Sequence, residues 1–457
     1  MAEIVLASIN AKYVHPSLGL RYLLANLGAL QAQAAILEFT RDTASESIAE
    51  QILAQNPRIV GFGVYIWNLN QTLELIKILQ RKRSEQNRNF VIVIGGPEVS
   101  HHEEQSEIIG LCDFLIKGEA DLSFRELCSK ILDGQRPEAK IILAPPPRLS
   151  DLVFPYSHYS DADLKHRLTY IEASRGCPFS CEFCLSSVKQ SGDHGVRRFD
   201  LEAFLKELSA LIARGARRLK FVDRTFNIDL KTSTQILDFI RPYADQGVFA
   251  HFEMIPDRFP EELRARAKDF PEGTLQFEVG LQTLNPEVAE RINRRQDYTK
   301  TLANLKFLKE ETRVHLHADL IVGLPGESLE SFAQGFDQLY ELGPHEIQVG
   351  ILKRLKGTPI ARHDILFGMR YSEVPPYEII ENALISESEM LRLKRFARYW
   401  EIFVNQGRFP GEINALMAKQ KSFSRFLAFS DWVYQSSKKT HGFSLEERRA
   451  LLVQFVT

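Results

Sequence analysis

The sequence predicts an α/β protein: a doubly wound, Rossmann-like N-terminal domain, a partial or full (βα) barrel, and a helical C-terminal domain. Three observations predict it. Short apolar runs alternate with helical patterns of roughly 10–15 residues, the mark of parallel sheets joined by crossover helices. The stiff run Ala144-Pro145-Pro146-Pro147-Arg148 interrupts that series once. Beyond about Phe367 the pattern becomes amphipathic helix, with Ile379–Phe396 the clearest stretch. The expected domains are residues 1–145, 146–366 and 367–457.

In the first domain, Ile4–Ile9 reads as a strand, followed by a loop with His15, Pro16 and Gly19 and a helical stretch from Leu20 to Leu30. Ala34–Phe39, Ile59–Trp67, Phe90–Ile94 and Phe114–Ile116 are further strand candidates, with Thr72–Lys82 and Leu122–Leu132 helical. In such a sheet a ligand sits at the carboxyl ends of the strands. The second series offers strands at Tyr170–Ala173, Leu219–Val222, Phe249–Met254, Leu275–Val279, His315–Val322 and Ile347–Leu352, mostly separated by helices. No internal repeat or low-complexity tract is seen.

A chain of 457 residues exceeds one ordinary core, and 44% hydrophobic with 25% charged residues is a globular composition. A formal charge of −2 gives no global attraction to nucleic acid or an anionic membrane. Lys206, Arg214, Arg217 and Arg218, within Leu201–Leu219, read as a solvated helix face. No run approaches the roughly 20 apolar residues of a membrane span. Met1-Ala2-Glu3-Ile4-Val5-Leu6-Ala7 reads as a strand rather than a secretory signal, so a cytoplasmic location is expected.

The five cysteines are no disulfide framework for a chain this long. Cys112 and Cys128 stand apart and read as buried structural thiols. Cys177, Cys181 and Cys184 lie in Arg175-Gly176-Cys177-Pro178-Phe179-Ser180-Cys181-Glu182-Phe183-Cys184, directly after a strand. Three thiolates at Cys-x3-Cys-x2-Cys spacing can hold three irons of a [4Fe–4S] cubane and leave the fourth open to a small chelating molecule. Structural zinc normally takes four ligands, and no fourth Cys or His is nearby.

Over roughly residues 165–365 the sequence resembles the radical S-adenosylmethionine (SAM) superfamily. The resemblance implies that Phe183 packs on the adenine of SAM. It points to Asp223 and Asn227 in Phe221-Val222-Asp223-Arg224-Thr225-Phe226-Asn227 as SAM contacts, although the common Gly-Gly-Glu is missing there. Glu278 and Gln282 fall in a segment similar to the one that approaches the ribose and methionine. Gly323 and Glu327 fall in one like the adenine-binding strand, with Asp319 where glycine is usual.

In the first domain Gly95-Gly96-Pro97-Glu98-Val99-Ser100 follows a strand, its glycines letting backbone approach a large flat ligand. No Gly-x-Gly-x-x-Gly follows the first strand, which counts against a dinucleotide. Gly61-Phe62-Gly63-Val64-Tyr65-Ile66-Trp67-Asn68 offers aromatic surface, although core packing explains Tyr65 and Trp67 in isolation. In context these segments look like the cobalamin (B12)-binding radical SAM enzymes. The opening Asn10-Ala11-Lys12-Tyr13-Val14-His15-Pro16-Ser17-Leu18-Gly19 resembles a branch with a short C-terminal helical domain of unassigned function. The resemblance implies cobalamin contacts from Tyr13, His15, Ser17 and Leu18, and from Gly63, Val64, Tyr65, Trp67 and Asn68. It adds Gly95, Gly96, Pro97, Glu98 and Val99, with Gly118 and Glu119. Asp-x-His-x-x-Gly, which puts an imidazole on cobalt, is absent; His15 reads as a loop hydrogen-bonding residue. The resemblance therefore implies base-off cobalamin without a protein histidine on the metal.

Function follows as an expectation: methyl transfer from SAM, through methylcobalamin, to an unactivated carbon or phosphorus of a small molecule or peptide. An electron donor such as flavodoxin or ferredoxin would feed the cluster. A second reading keeps both cofactors but gives a non-methylating cyclisation, rearrangement or oxidation. A cobalamin carrier or sensor is disfavoured by the intact cysteine loop. A tRNA-modifying methylthiolase is disfavoured because its three additional cluster cysteines are missing. Tyr399, Trp400 and Phe403 could line a pocket, but core packing explains them more simply. The substrate and the oligomeric state are not readable.

Overall fold

Ile4–Asn10 (β1) is buried at every position, as a central parallel strand covered on both faces must be. It pairs in parallel with Ala34–Thr40 (β2) on one side and Ile59–Gly63 (β3) on the other. Val91–Gly95 (β4), Phe114–Gly118 (β5) and Ile141–Ala144 (β6) complete a six-stranded sheet of order β2-β1-β3-β4-β5-β6. The order reverses beside β1, the topological switch point of doubly wound sheets. Helices Leu18–Ala25 (α1), Ser45–Ala54 (α2), Leu69–Glu85 (α3), Pro97–Ser100 (α4), Glu107–Leu111 (α5) and Asp121–Leu132 (α6) separate the strands. One core of buried residues, including Val5, Ile48, Leu75 and Ile92, lies on one face; another, including Leu6, Val93 and Phe124, lies on the other.

The computed structural model describes residues 1–101, 106–188, 195–418 and 421–457. They form two units, Met1–Pro178 with Val188–Asp223, and Phe179–Ser187 with Arg224–Thr457. The first unit also holds Asp161–His166 (α7), Thr169–Ile171 (β7), Ser174–Arg175 (β8), Arg197–Arg198 (β9), Leu201–Ala213 (α8) and Arg218–Phe221 (β10). β7 pairs in parallel with β10, and β8 pairs antiparallel with β9.

In the second unit the parallel strands Phe249–Met254 (β11), Leu275–Gln282 (β12), His315–Val322 (β13) and Glu346–Ile351 (β14) pair in order. Between and around them lie Leu230–Ala244 (α9), Glu261–Asp269 (α10), Pro286–Arg291 (α11), Tyr298–Glu311 (α12) and Leu329–Leu342 (α13). Arg370–Tyr371 (β15) and Ile379–Glu381 (β16) form a small hairpin ahead of Glu387–Tyr399 (α14), Pro410–Met417 (α15), Ser422–Ser437 (α16) and Leu445–Val456 (α17). Tyr399, Trp400 and Phe403 are at most 1% exposed, and Trp400 meets Phe336 edge-on at 4.7 Å, so this stripe is core.

Four local expectations are corrected. Ile379–Phe396 is not one helix: Asn382 Oδ1 accepts from the Leu384 and Ile385 amides, turning the chain, and α14 starts only at its Ser386/Glu389 capping box. Ala144 belongs to β6 rather than to a linker, which begins at Pro145. The helix predicted to reach Leu30 stops at Ala25, where the Asn26 side chain bonds the Tyr22 carbonyl and reaches Val153. In Leu201–Leu219 the helix ends at Ala213, so Arg217 and Arg218 lie beyond it; Lys206, Arg214, Arg217 and Arg218 are all exposed as expected, while Arg214 and Arg217 also donate to backbone carbonyls.

Candidate functional site

The cysteine loop leaves β8 through Gly176, whose φ of +96° suits only glycine; a Cβ there would sit 2.3 Å from the Gly195 carbonyl oxygen. Cys177 follows, half-buried. In the second unit, Cys181 is buried and Cys184 half-buried. The Cys184 amide bonds the Cys181 carbonyl at 3.2 Å, and the Ser187 hydroxyl donates to both carbonyls at 2.6 and 2.7 Å. Glu182, between these cysteines, is 6% exposed; its carboxylate takes Arg362 and His363, and its backbone bonds Ile292 and Ile360. The turn is therefore held from both sides. Arg294 brings Nη1 to 3.6 Å from Cys181 Sγ while its other terminal nitrogen donates to the Gly280 carbonyl. Among the described residues no three His, Cys, Asp or Glu side chains converge on one ion. A cubane gives each thiolate its own iron and needs no such convergence, and three thiolates are the donor chemistry that such a cluster takes.

The residues expected to meet SAM fall into different situations. Phe183 is half-buried. Asp223, in the first unit, is 3% exposed and accepts from the Ala173 amide and the Ser174 hydroxyl. Burial pushes its pKa up to about 7, against those two hydrogen bonds. Asn227 spends its amide inside the second unit, donating to the Ile255 and Arg258 carbonyls and accepting from the Ile255 amide. Gln282 has φ +72° at a bulge in β12, and a Cβ on Gly280 would lie 2.4 Å from its side-chain nitrogen. Gly323 (φ +88°) is demanded by packing: a Cβ there would stand 2.7 Å from Ile379 and 3.1 Å from Met390. Glu327 is 2% exposed and bonded to Thr283, and burial raises its pKa to about 7.

Glu278 stands on a polar face that the sequence reading did not single out. β12 and β13 strictly alternate half-buried and buried residues, and register sets Glu278 opposite Glu253 and His317. His251 Nε2 lies 2.8 Å from Glu278, and His317 lies 3.0 Å from Asp319 and 3.2 Å from Glu346. Burial opposes a charge on His317, but Asp319 and Glu346 outweigh it and push the imidazole pKa up to about 10. Polar residues at alternate positions, Gln276, Glu278 and Gln282 on β12 and His315, His317 and Asp319 on β13, were the available signal.

The first unit contains a cavity of about 400 Å³ at the carboxyl ends of its strands. β3, β4 and β5 all end in glycine there: Gly63, Gly95 and Gly118. Gly96 continues with φ +110°, and a Cβ on it would lie 2.5 Å from the Val64 carbonyl oxygen. Leu18, Tyr65 and Glu119 also line the cavity. Glycines at this many wall positions leave bare backbone, a cradle in which a broad flat ligand fits and which added Cβ atoms would narrow.

The remaining expected residues sit around the cavity rather than in its wall. Asn68 is fully buried and fixes the loop after β3 through the Tyr65 amide and the Ile9 and Gly63 carbonyls. Trp67 stacks on Tyr65 with ring centroids 4.5 Å apart and stays 41% exposed, so it is not a core residue. His15 hydrogen-bonds Tyr170 at 2.7 Å, as a loop residue should. Ser17 caps α1, and Tyr13 gives its carbonyl to Arg167. Val64 and Val99 are buried, Glu98 is 4% exposed, and Pro97 opens α4. The wall also includes Tyr22, Asp121, Phe124, Glu172 and Arg175, none singled out by sequence. Cys112 and Cys128 are buried as expected, and burial raises the Cys112 thiol to about 11.

Residues 171–339 match the radical SAM superfamily, residues 4–128 the B12 binding domain, and residues 366–457 a protein family of unknown function, DUF4080. A radical SAM domain joined to a B12-binding domain defines the class. The chain carries both, a B12 binding domain over residues 4–128 and a radical SAM domain over residues 171–339. It is 24% identical over 338 residues to the cobalamin-dependent radical SAM methyltransferase TokK of Streptomyces tokunonensis, covering 65% of this chain and 47% of that one. The chain thus spans about half the length of that curated relative. Its fold resembles OxsB, a cobalamin-dependent SAM radical enzyme solved with aqua-cobalamin and SAM, with a TM-score of 0.69, 12% identity, and coverage of 99% and 74% of the two chains. It also resembles the methyltransferase TsrM of Kitasatospora setae, solved with cobalamin and a [4Fe–4S] cluster, with a TM-score of 0.63, 18% identity and 82% of each chain covered. No helix among the described residues is long and apolar enough to cross a membrane.

Proposed function

We propose that this chain is a cobalamin-dependent radical SAM methyltransferase that moves a methyl group from SAM, by way of cobalamin, to an unactivated carbon or phosphorus of a small molecule or peptide. The observation that carries it is the pairing, in one chain, of a three-cysteine loop and a glycine-walled cavity at the strand ends of a B12-binding domain. When bound, the cluster supplies the electron that splits SAM, and cobalamin carries the methyl group. The protein's own work is positioning. Cys177, Cys181 and Cys184 hold the irons, and Arg294 sets a positive charge beside one thiolate. Phe183, Glu278 and Gln282 are the residues we assign to SAM in the second unit. Asp223 and Asn227 act mainly by fixing the loops that present those contacts. Gly63, Gly95, Gly96 and Gly118 let backbone approach the corrin. We take the cobalamin as base-off, without a protein imidazole on cobalt, because the sequence has no Asp-x-His-x-x-Gly segment. We divide the chain into residues 1–145, 146–366 and 367–457, and expect a flavodoxin or ferredoxin to deliver electrons.

The test is a product count. Enzyme loaded with cluster and cobalamin, given SAM and reductant, should form S-adenosylhomocysteine as well as 5′-deoxyadenosine. Formation of 5′-deoxyadenosine without any S-adenosylhomocysteine rejects methylation and favours a radical rearrangement or oxidation.

A further inference from the structure

We propose that Arg175 is a positioning residue that couples occupancy of the cavity to the cluster loop; this rests on the reading of the cavity as a cobalamin site. Arg175 lines the cavity, and so does every group that holds its guanidinium. Its Nε donates to Glu172 at 2.8 Å, Nη1 to Glu119 at 3.0 Å and Asp121 at 2.9 Å, and Nη2 to Asp121 at 3.2 Å. Its plane lies over the Tyr22 ring, 4.5 Å from the centroid. Glu119 is held a second time, by Arg197, which stands opposite Arg175 in the β8–β9 pair. Three carboxylates and two guanidiniums thus form one network between the end of β5 and the strand that enters the cysteine loop.

Two features make this network a transmitter rather than a simple staple. Arg175 precedes Cys177 by two residues, and the intervening Gly176 is pinned against Gly195 with no room for a Cβ. Movement at Arg175 therefore has little slack in which to be absorbed. The Arg175 side chain is only 13% exposed and those of Asp121 and Glu172 are 7% and 10%, so displacing the guanidinium strands buried charge. A cofactor whose amide side chains reach Glu119 or Asp121 competes for the same acceptors and biases the position of Arg175.

Coupling of this kind is reciprocal: if cobalamin affects the cluster loop, the cluster must affect cobalamin affinity by the same factor. Hydroxocobalamin titrated into cluster-free and cluster-reconstituted full-length protein, followed by its visible absorbance, reads that factor. The wild type should differ between the two states by about fivefold or more. Arg175→Lys keeps the charge but loses the fork, and should bind hydroxocobalamin with one affinity in both states. Glu119→Gln leaves the bonds to Asp121 and Glu172 and should show a reduced factor, which keeps the test available if the lysine variant does not fold. Equal affinities in the wild type, or an undiminished factor in either variant, overturn the proposal. Absence of hydroxocobalamin binding in both states of the wild type overturns the functional reading instead.

Discussion

Arg294 and Cys181 stand 113 residues apart in sequence, yet the guanidinium Nη1 lies 3.6 Å from the thiol sulfur. The second terminal nitrogen grips the Gly280 carbonyl, so the cation is tethered to β12. A positive charge beside a cluster thiolate stabilises the reduced, more negative cluster and raises its potential. Arg294→Met should therefore lower the midpoint of the reconstituted cluster by roughly 50 mV, measured by an EPR-monitored redox titration. A midpoint unchanged in that variant removes Arg294 from the tuning of the cluster.

The five cysteines should divide cleanly. Cys184→Ala should lose the iron stoichiometry and all reductive SAM cleavage, whereas Cys112→Ala and Cys128→Ala, whose thiols are buried in the N-terminal cores, should keep the iron content. Their cost is in packing, about 1 kcal/mol for each small cavity. Iron and sulfide analysis after anaerobic reconstitution decides between the two groups.

Gly96 is the sharpest steric constraint in the cavity wall. Gly96→Ala forces a side chain into φ +110° and against the Val64 carbonyl, which should destabilise the first unit by about 2 kcal/mol or more and weaken cobalamin binding at least tenfold. Denaturant unfolding and a cobalamin titration check the two effects separately.

Asp223 makes stability depend on pH. Its carboxyl titrates near 7 when folded and near the ordinary 3.8 when unfolded. Between those values the folded chain keeps a proton that the unfolded chain has lost, so this group's contribution to stability falls as pH rises, by at most about 1.4 kcal/mol per unit. Below 3.8 and above about 7 its contribution no longer changes with pH. Asp223→Asn should flatten the decline between pH 4.5 and 7 in urea unfolding; an unaltered slope assigns it to other groups.

The parts of this molecule written in local chemistry were legible in the sequence. Three thiols in eight residues need no tertiary information, and Gly95-Gly96 announced a bare backbone at a strand end. What escaped the reading depends on residues far apart in sequence. Arg294 is one of many arginines until folding carries it to Cys181. Arg175 was visible only as the residue before Gly176, whereas its partners Tyr22, Glu119 and Asp121 lie more than fifty residues earlier in the chain. Gly323 stood out as a glycine after a strand, but its crowding by Ile379 and Met390, more than fifty residues on, could not be read there. Trp67 shows the opposite case: aromatic and apolar in sequence, it stays 41% exposed because Tyr65 already covers one of its faces. The hairpin at Ile379–Glu381 was hidden because its apolar residues also fit a helical period.

The ultraviolet–visible spectrum of protein purified anaerobically and reconstituted with iron, sulfide and hydroxocobalamin tests the central claim most directly. The account predicts cobalamin bands retained through gel filtration at one equivalent per chain, superimposed on the broad absorption of one [4Fe–4S] cluster. A cluster spectrum without retained cobalamin would contradict it.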